Sequence, residues 1–511
     1  MRIITAAISM IVLAGCGSDA PTDNQPQPLN RAAIVPAQAE DAYFVSAKAA
    51  VEARADGKSV PQAKNIILFV GDGMGISTVT AARIYAGQEK GVDGESYRLA
   101  MEKLPQMALS KTYSHDFQVS DSAATATAMV AGLKSRSGTL GVSSDAIRED
   151  CDSAQGNGTD NLFEIAERAG LATGIVSTAR ITHATPASTY AESPSRGWED
   201  NSDIPPNVEQ CKDIATQLID WPAGDGFEVV LGGGRQHFLP TDISDPEEPK
   251  RGGQRSDGRN LVDEWQAKSS EHEFIWNSEQ FAAADFSTNT RVLGLFERSH
   301  MQYELDRPED AAGEPSIAEM TAAAITRLSQ DEDGYILMVE GGRIDHGHHG
   351  TNAARALVDA VAFDDAVAKA AEMTSPEDTL IIVTADHSHT LTISGYPHRG
   401  NAILGKVAYG PGVTAKSEDG KPYTTLGYAN GPGACKLIEE GEYDCTRADL
   451  TGVDTKAADF QQQALVYLGS ETHGGEDVAV FASGPGSELL NGVIEQHEIF
   501  HVMGRASGLV E

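Results

Sequence analysis

The sequence predicts an α/β fold: a mostly parallel β-sheet covered by helices on both faces. Three observations predict it. Short apolar runs, bounded by glycine and polar residues, recur as buried strands do. Stretches of helical periodicity separate them, and strands that alternate with helices form parallel sheets with covered faces. No internal repeat divides the 511 residues. A prior of roughly 150 residues per domain would suggest three domains, but large α/β enzymes often exceed it as one unit.

Taken in order, the N-terminus stands apart. Arg2 precedes an apolar stretch over 3–13, too short to span a bilayer as a mature helix. Leu13-Ala14-Gly15-Cys16 then follows the pattern of a bacterial lipobox. A lipoprotein signal peptide is expected over 1–15, with Cys16 lipidated; an ordinary signal peptide with a chance cysteine is the alternative. Residues 16–42 are expected to be a lipid-anchored flexible tether, rich in Ser, Pro, Gln and Asn over 17–36. Gly17 is not the Asp linked with inner-membrane retention, so the outer membrane of the cell envelope is favoured.

The body follows, over 43–511, opening with a helix at 43–54. Strands are expected at 66–70, 173–176, 228–231, 335–339, 380–383 and 478–481, each short and rich in apolar residues. Helices are expected at 161–169, 317–328 and 352–371. Two stretches break the alternation and read as insertions. One covers about 395–463, is rich in Gly, Pro and Tyr, and holds Cys435 and Cys445. The other covers 240–287. With Cys16 assigned to lipid, four cysteines remain, and an exported chain can oxidise them. Proximity favours Cys151–Cys211 and Cys435–Cys445. Zinc held by cysteine competes, but no CxxC pair exists.

Seventy-five acids against 39 bases give a net charge of -36. This excludes nucleic acid as a docking partner, because a phosphate backbone needs a basic face. It also excludes electrostatic attachment to an anionic membrane. Such acidity serves solubility or adaptation to salt, and it should repel an anionic substrate.

Chemistry gathers where apolar strands end. The run 66–70 leads into Gly71-Asp72-Gly73-Met74-Gly75. The run 336–339 leads into Glu340 and then Asp345, His346, His348 and His349. The run 381–385 leads into Asp386-His387-Ser388-His389. Ligands of open α/β sheets bind outside the carboxyl ends of strands. Oxygen and imidazole donors without thiolate suit zinc and magnesium. Asp345 and His349 are four apart, on one face of a helical turn. A lone acid or histidine in a loop is usually just solvated, but repeated placement at strand ends is not explained that way. The Gly71–Gly75 segment lacks the lysine and spacing of a P-loop. Further on, Ser120 or Asp121 can cap a helix of small residues. Ser122 then sits in its first turn, where backbone N–H groups favour an anion. Alone, that stretch reads as a capped helix.

Together these residues match a known pattern. From about residue 43 to the C-terminus the sequence resembles the alkaline phosphatase family. GDGMG at Gly71, DSAATATA at Asp121, THATPA at Thr182, EGGRIDHGHH at Glu340, TADHSH at Thr384 and ETHGGED at Glu471 occur in the family's order. LGGGR at Leu231, LFE at Leu295, PSIAEM at Pro315 and NGPG at Asn430 place it nearest the animal-type branch. The resemblance implies a three-layer sandwich, its central, mostly parallel sheet between helices, with a crown-like subdomain at 395–463. It implies a homodimer that hydrolyses phosphate monoesters through a phosphoserine.

The matched positions carry implied roles. Ser122 is the nucleophile, and Arg196 clamps the phosphate. Asp345, His349 and His473 hold one zinc. Asp72, Asp386, His387 and Ser122 hold the second. Asp72, Thr185 and Glu340 hold magnesium, with His183 reaching it through water. His183 and His346 stand where enteric bacterial enzymes have Asp and Lys. A calcium site is implied at Glu247, Glu297 and the Phe296 carbonyl, with Glu314 where the animal branch has Asp. A metal-dependent phosphodiesterase or sulfatase is the first rival reading. A non-catalytic metal-binding surface lipoprotein is the second.

Overall fold

The structure is a computed structural model that describes residue 29 and residues 31–206, 208, 210–439 and 441–510. The expected signal peptide and the lipidation site at Cys16 lie outside these residues.

Ten strands build the main sheet: β1 Asn65–Gly71, β2 Gln106–Lys111, β3 Ala172–Arg180, β4 Val229–Gly233, β5 His272–Ile275, β6 Arg291–Leu295, β7 Tyr335–Gly341, β8 Thr379–Ala385, β9 Val478–Ser483 and β10 Gly492–Glu495. Their order is β10-β2-β9-β8-β1-β7-β3-β4-β6-β5. Only β9 runs antiparallel to its neighbours, β2 and β8. All six expected strands are present. Near-continuous apolar runs marked them because both sheet faces are covered. In β1, Ile66, Leu68 and Val70 enter one core, while Ile67 and Phe69 enter the other.

Helices α1 Ala42–Ala55, α3 Ser122–Ala131, α4 Leu162–Arg168 and α8 Glu498–Ser507 pack into the first core. Helices α2 Ile76–Glu89, α5 Ile317–Leu328 and α7 Ala353–Met373 pack into the second. A short helix, α6 Arg343–His349, precedes α7. Capping boxes start α4 (Asn161 with Glu164) and α5 (Ser316 with Glu319). The three-layer sandwich is therefore as expected. Both disulfides, Cys151–Cys211 and Cys435–Cys445, are also as proximity suggested.

Two boundaries change. The later part of the expected tether is docked rather than free. Arg31 donates to the carbonyls of Ala63, Lys64 and Ser507, and Ile34 bridges Val510. Gln38 is buried and donates to the carbonyls of Ala131 and Asp160. These are polar anchors, which in sequence look like linker composition. The insertion at 395–463 closes through a small sheet formed by Leu391–Ile393, Leu426–Gly431 and Ala464–Tyr467, so its framing strands lie partly outside those limits. The stretch 240–287 does leave between neighbouring strands β4 and β6, and it returns β5 to the sheet edge.

Register aligns the loops that matter. Gly71 of β1 pairs with Gly341 of β7 and with Ala385 of β8. Asp72, the Gly342-to-His349 segment and Asp386 thus emerge side by side. Ser177 of β3 pairs with Glu340 on the next strand over.

Candidate active site

Three sets of acid and imidazole groups converge beyond these strand ends. Asp345, His349 and His473 form one, joined by His389, with ligand-type atoms all within 4.8 Å of one another. The Asp345 Oδ1 atom lies 2.7 Å from His389 Nε2, 3.3 Å from His349 Nε2 and 3.5 Å from His473 Nε2. Asp72, Asp386 and His387 form the second set, and Asp72, His183 and Glu340 the third. Asp72 belongs to both, which places it between two positions for positive charge. Thr185 lies two residues after His183, in the short helix Ala184–Ala187.

Local sequence explains the convergence. Gly73 has φ +67°, and a Cβ there would collide with the His389 ring. Glycine therefore lets the Asp72 loop approach the histidine cluster. The Gly73 amide and the His387 amide both donate to Asp386 Oδ1, at 2.9 Å each. On α6 the four-residue spacing brings Asp345 and His349 to one face, as expected.

Ser122 opens α3, whose N-cap Asp121 accepts from the Ala123 amide. Its Oγ lies 3.1 Å from His387 Nε2 and 3.4 Å from Asp72 Oδ1. Arg196 closes the other side. One guanidinium nitrogen is 3.0 Å from Asp121 Oδ2 and the other 3.1 Å from His183 Nε2. The helix cap thus holds the arginine over the helix terminus that carries Ser122. The His346 ring centre lies 4.1 Å from that of His300, tilted against it, and 5.6 Å from that of His183, edge-on, and Arg343 donates to its Nδ1.

The electrostatics are those of a cation site. Burial first, then repulsion from Asp386, Asp345 and Glu340, pushes the Asp72 carboxyl well up. Burial also raises Asp386, and raises Glu340 to about 7 against the opposing Ser177 hydroxyl. Asp345 differs: burial would raise it, but His349, His389 and His473 hold it well below the usual carboxylate range. Burial keeps His387 and His183 neutral, the form that ligates metal. Asp72 Oδ2, Asp386 Oδ2, Glu340 Oε1, Thr185 Oγ1 and His183 Nδ1 are buried with no hydrogen-bond partner. Buried polar atoms rarely stay orphaned. These point at divalent ions, and an oxygen and imidazole donor set fits zinc and magnesium.

Sequence reasoning missed several partners. His389 links Asp345 to Glu471, whose Oε2 is 2.5 Å from His389 Nδ1. Burial opposes protonation of His389, but those two acids raise it to about 9. Ser177 donates to Glu340 Oε2. His389 stood inside the TADHSH motif, so its signal was present; Ser177 lies inside a strand run and gave none.

The residues of the implied calcium site also meet. Glu247 and Glu314 each feel Glu297 as a near negative charge, and Phe296, directly after β6, precedes Glu297. Burial first, then Glu297, raises Glu314 to about 9. Asp310 joins them: its Oδ2, like Glu314 Oε2, is buried and unpartnered. Glu247 is shared with Arg235, 2.9 Å away.

Comparison with known proteins agrees with this geometry. The sequence profile of the alkaline phosphatase family matches residues 63–509. The tissue-nonspecific alkaline phosphatase of Gallus gallus is 46% identical over 453 residues, covering 87% of this chain and 84% of that one. The alkaline phosphatase of Gadus morhua is 44% identical over 453 residues, covering 87% and 92%. Among solved structures, that of Thermus thermophilus alkaline phosphatase aligns with a TM-score of 0.64 at 27% identity, over 89% of this chain and 93% of that one. The alkaline phosphatase of the Antarctic bacterium TAB5 aligns with a TM-score of 0.59 at 25% identity, over 89% and 100%.

Proposed function

The chain belongs to the alkaline phosphatase family and is a metal-dependent phosphomonoesterase, and from that premise we propose how its residues divide the work. Ser122 is the nucleophile and takes the phosphoryl group as a phosphoserine. Asp345, His349 and His473 hold one zinc. Asp72, Asp386 and His387, with Ser122, hold the other. Asp72, Thr185 and Glu340 hold magnesium, with His183 reaching it through water. The observation that carries this is the Ser122 hydroxyl, 3.1 Å from His387 and facing clusters with unpartnered buried oxygens. A TAB5 alkaline phosphatase with one histidine replaced by aspartate has magnesium bound in its M3 site, which supports magnesium as one of the metals this fold can hold.

When bound, such ions supply Lewis acidity for both the attacking and the leaving oxygen of an in-line displacement. The chain does the rest. Arg196 donates two hydrogen bonds to phosphoryl oxygens and sets the direction of attack. The free backbone N–H groups at the start of α3 face the same oxygens and favour their charge. Asp121 keeps the guanidinium from swinging away. Asp72, 3.4 Å from the Ser122 hydroxyl and shared with the magnesium cluster, would link that hydroxyl to the magnesium shell.

Replacing Arg196 with alanine should lower kcat/KM for an aryl phosphate about 100-fold, the loss of about 3 kcal/mol of charge-assisted hydrogen bonding. Lysine should recover part of this. Steady-state kinetics with phosphate inhibition will read it; an unchanged kcat/KM removes Arg196 from the phosphate site.

Beyond the centre, Glu247, Glu297, Glu314 and the Phe296 carbonyl hold calcium, with Asp310 as an added ligand. The chain is a homodimer. Supporting this, the strand Ala464–Tyr467 forms an edge of the small sheet, with Leu465 84% exposed. The lipobox ending at Cys16 supports lipid anchoring in the cell envelope, the outer membrane being favoured.

The test compares rates on an aryl phosphate, a bis-aryl phosphate and an aryl sulfate, each with and without chelator, beside metal analysis. The monoester should be fastest and its hydrolysis should vanish on chelation. A diester or sulfate preference would favour the rival hydrolase reading. Bound metal without any hydrolysis would favour a binding lipoprotein.

A further inference from the structure

Helix α6 carries two proposed zinc ligands, Asp345 and His349, and between them His348, which takes no part in the clusters above. His348 is fully buried. Its Nε2 lies 2.9 Å from the Thr78 hydroxyl, and its Nδ1 lies 2.8 Å from the Tyr428 hydroxyl. Both partners are themselves buried. A neutral imidazole has one donor and one acceptor, and a hydroxyl can play either part, so both ring nitrogens are satisfied. They are therefore not available to an ion.

The two partners come from distant parts of the chain. Thr78 is in the first turn of α2, which begins directly after the Asp72–Gly75 loop. Tyr428 is on the strand Leu426–Gly431 of the inserted region. One side chain thus joins the loop of one metal cluster, the helix of the other, and the insertion.

The surroundings leave α6 little freedom. A Cβ at Gly347 would stand 2.7 Å from the Ala356 amide of α7, so the helices are in close contact. Just past α6, Thr351 is buried with φ 49°, a conformation that a β-branched residue adopts only when held. The insertion holds it: the Gln462 amide donates to the Thr351 carbonyl at 2.8 Å, and Gln462 Oε1 accepts from the Ala353 amide at 2.7 Å. The Glu471 amide donates to the His349 carbonyl at 2.9 Å.

We propose that His348 is a positioning residue: by bridging Thr78 and Tyr428 it fixes the angle of α6, and so presents Asp345 and His349 to zinc with the crown-like insertion as its brace. The inference rests on the zinc reading of that cluster. Partners that orient metal ligands commonly account for a 10- to 100-fold change in metal affinity.

The test uses the full metal-loaded protein as Thr78→Val, Thr78→Ser and Tyr428→Phe variants. Zinc per chain and the rate of zinc transfer to a chromogenic chelator are measured, together with the melting temperature of each metal-free form. Thr78→Val and Tyr428→Phe should release the first zinc about 10-fold faster or more. Thr78→Ser, which keeps the hydroxyl, should release it at the unsubstituted rate. Metal-free melting temperatures should fall by only a few degrees, the cost of one lost buried hydrogen bond, and Thr78→Ser should not fall. Equal zinc release from all forms overturns the inference alone. So does a loss of metal-free stability with unchanged zinc release. An unsubstituted protein that carries no zinc overturns the zinc reading and the inference with it.

Discussion

A Ser122→Ala protein should keep its fold and every acid and imidazole of the metal clusters, and lose phosphate-ester hydrolysis by on the order of 1000-fold in kcat. The substitution is mild for the structure. Ser122 is buried at the start of a helix made of small residues, and its neighbours Ala123, Ala124 and Ala126 show that a methyl group is tolerated there. Asp121, not Ser122, caps the helix. What is lost is the only hydroxyl within reach of both His387 and Asp72 among the described contacts. Arg196 and the helix terminus remain and still orient a phosphoryl group, so a residual rate above that in water should persist. The measurement is kcat beside acid quenching with a phosphate-labelled ester. Label should remain on the unsubstituted chain and be absent from the variant. Full activity or retained label in Ser122→Ala would falsify the nucleophile assignment.

Burial decides which elements are legible in the sequence. β1, β7 and β8 are covered on both faces, so their apolar runs are continuous, and the acids that follow them stand out as a break in the pattern. β2 cannot be read the same way: Gln106–Lys111 alternates buried and partly exposed residues and mixes polar with apolar. β5 and β10 sit at the sheet edges with the same mixture. Helix α2 is hidden for another reason, since its buried face is mostly Thr, Ala and Gly, with Val79 and Ile84 its only larger apolar residues. Within the site, motif content finds the acids and imidazoles that cluster beyond the strand ends, because those residue types break the apolar pattern. It does not find the residues that hold them. Glu471 reaches His389 across 82 positions, and only the fold brings them together. His348 is visible as one histidine among several in Asp345-His346-Gly347-His348-His349, but nothing local tells which nitrogen is bound to protein and which is left free.

Stripping the metals should lower the melting temperature, and the loss should grow as pH rises from about 5 to about 8. Three ions, each near 100 times its dissociation constant, contribute ~2.7 kcal/mol apiece. For a chain of this size that corresponds to a shift of roughly 10 °C. The pH dependence follows from the acids. Glu340 goes from 4.5 when unfolded to about 7 in the folded, metal-free site. Its folded value is raised, so between those limits the folded state binds more protons, and stability falls as pH rises through the window. Asp72 and Asp386 are raised too and act in the same direction. Asp345 is lowered well below its ordinary value, so its favourable contribution is already complete near pH 5 and does not change above it. Other buried acids are also raised, among them Glu167 and Asp359, each to about 8. They titrate alike in loaded and stripped protein and cancel in the difference. What remains is the cluster itself: near pH 5 protons compete with the ions and the two forms converge, whereas near pH 8 the stripped site holds ionised carboxylates with nothing between them. Melting curves of stripped and zinc- and magnesium-reloaded protein, with no calcium in either, should therefore separate progressively across this range. Curves that stay a constant distance apart, or that converge as pH rises, would mean that these acids do not face the bound ions.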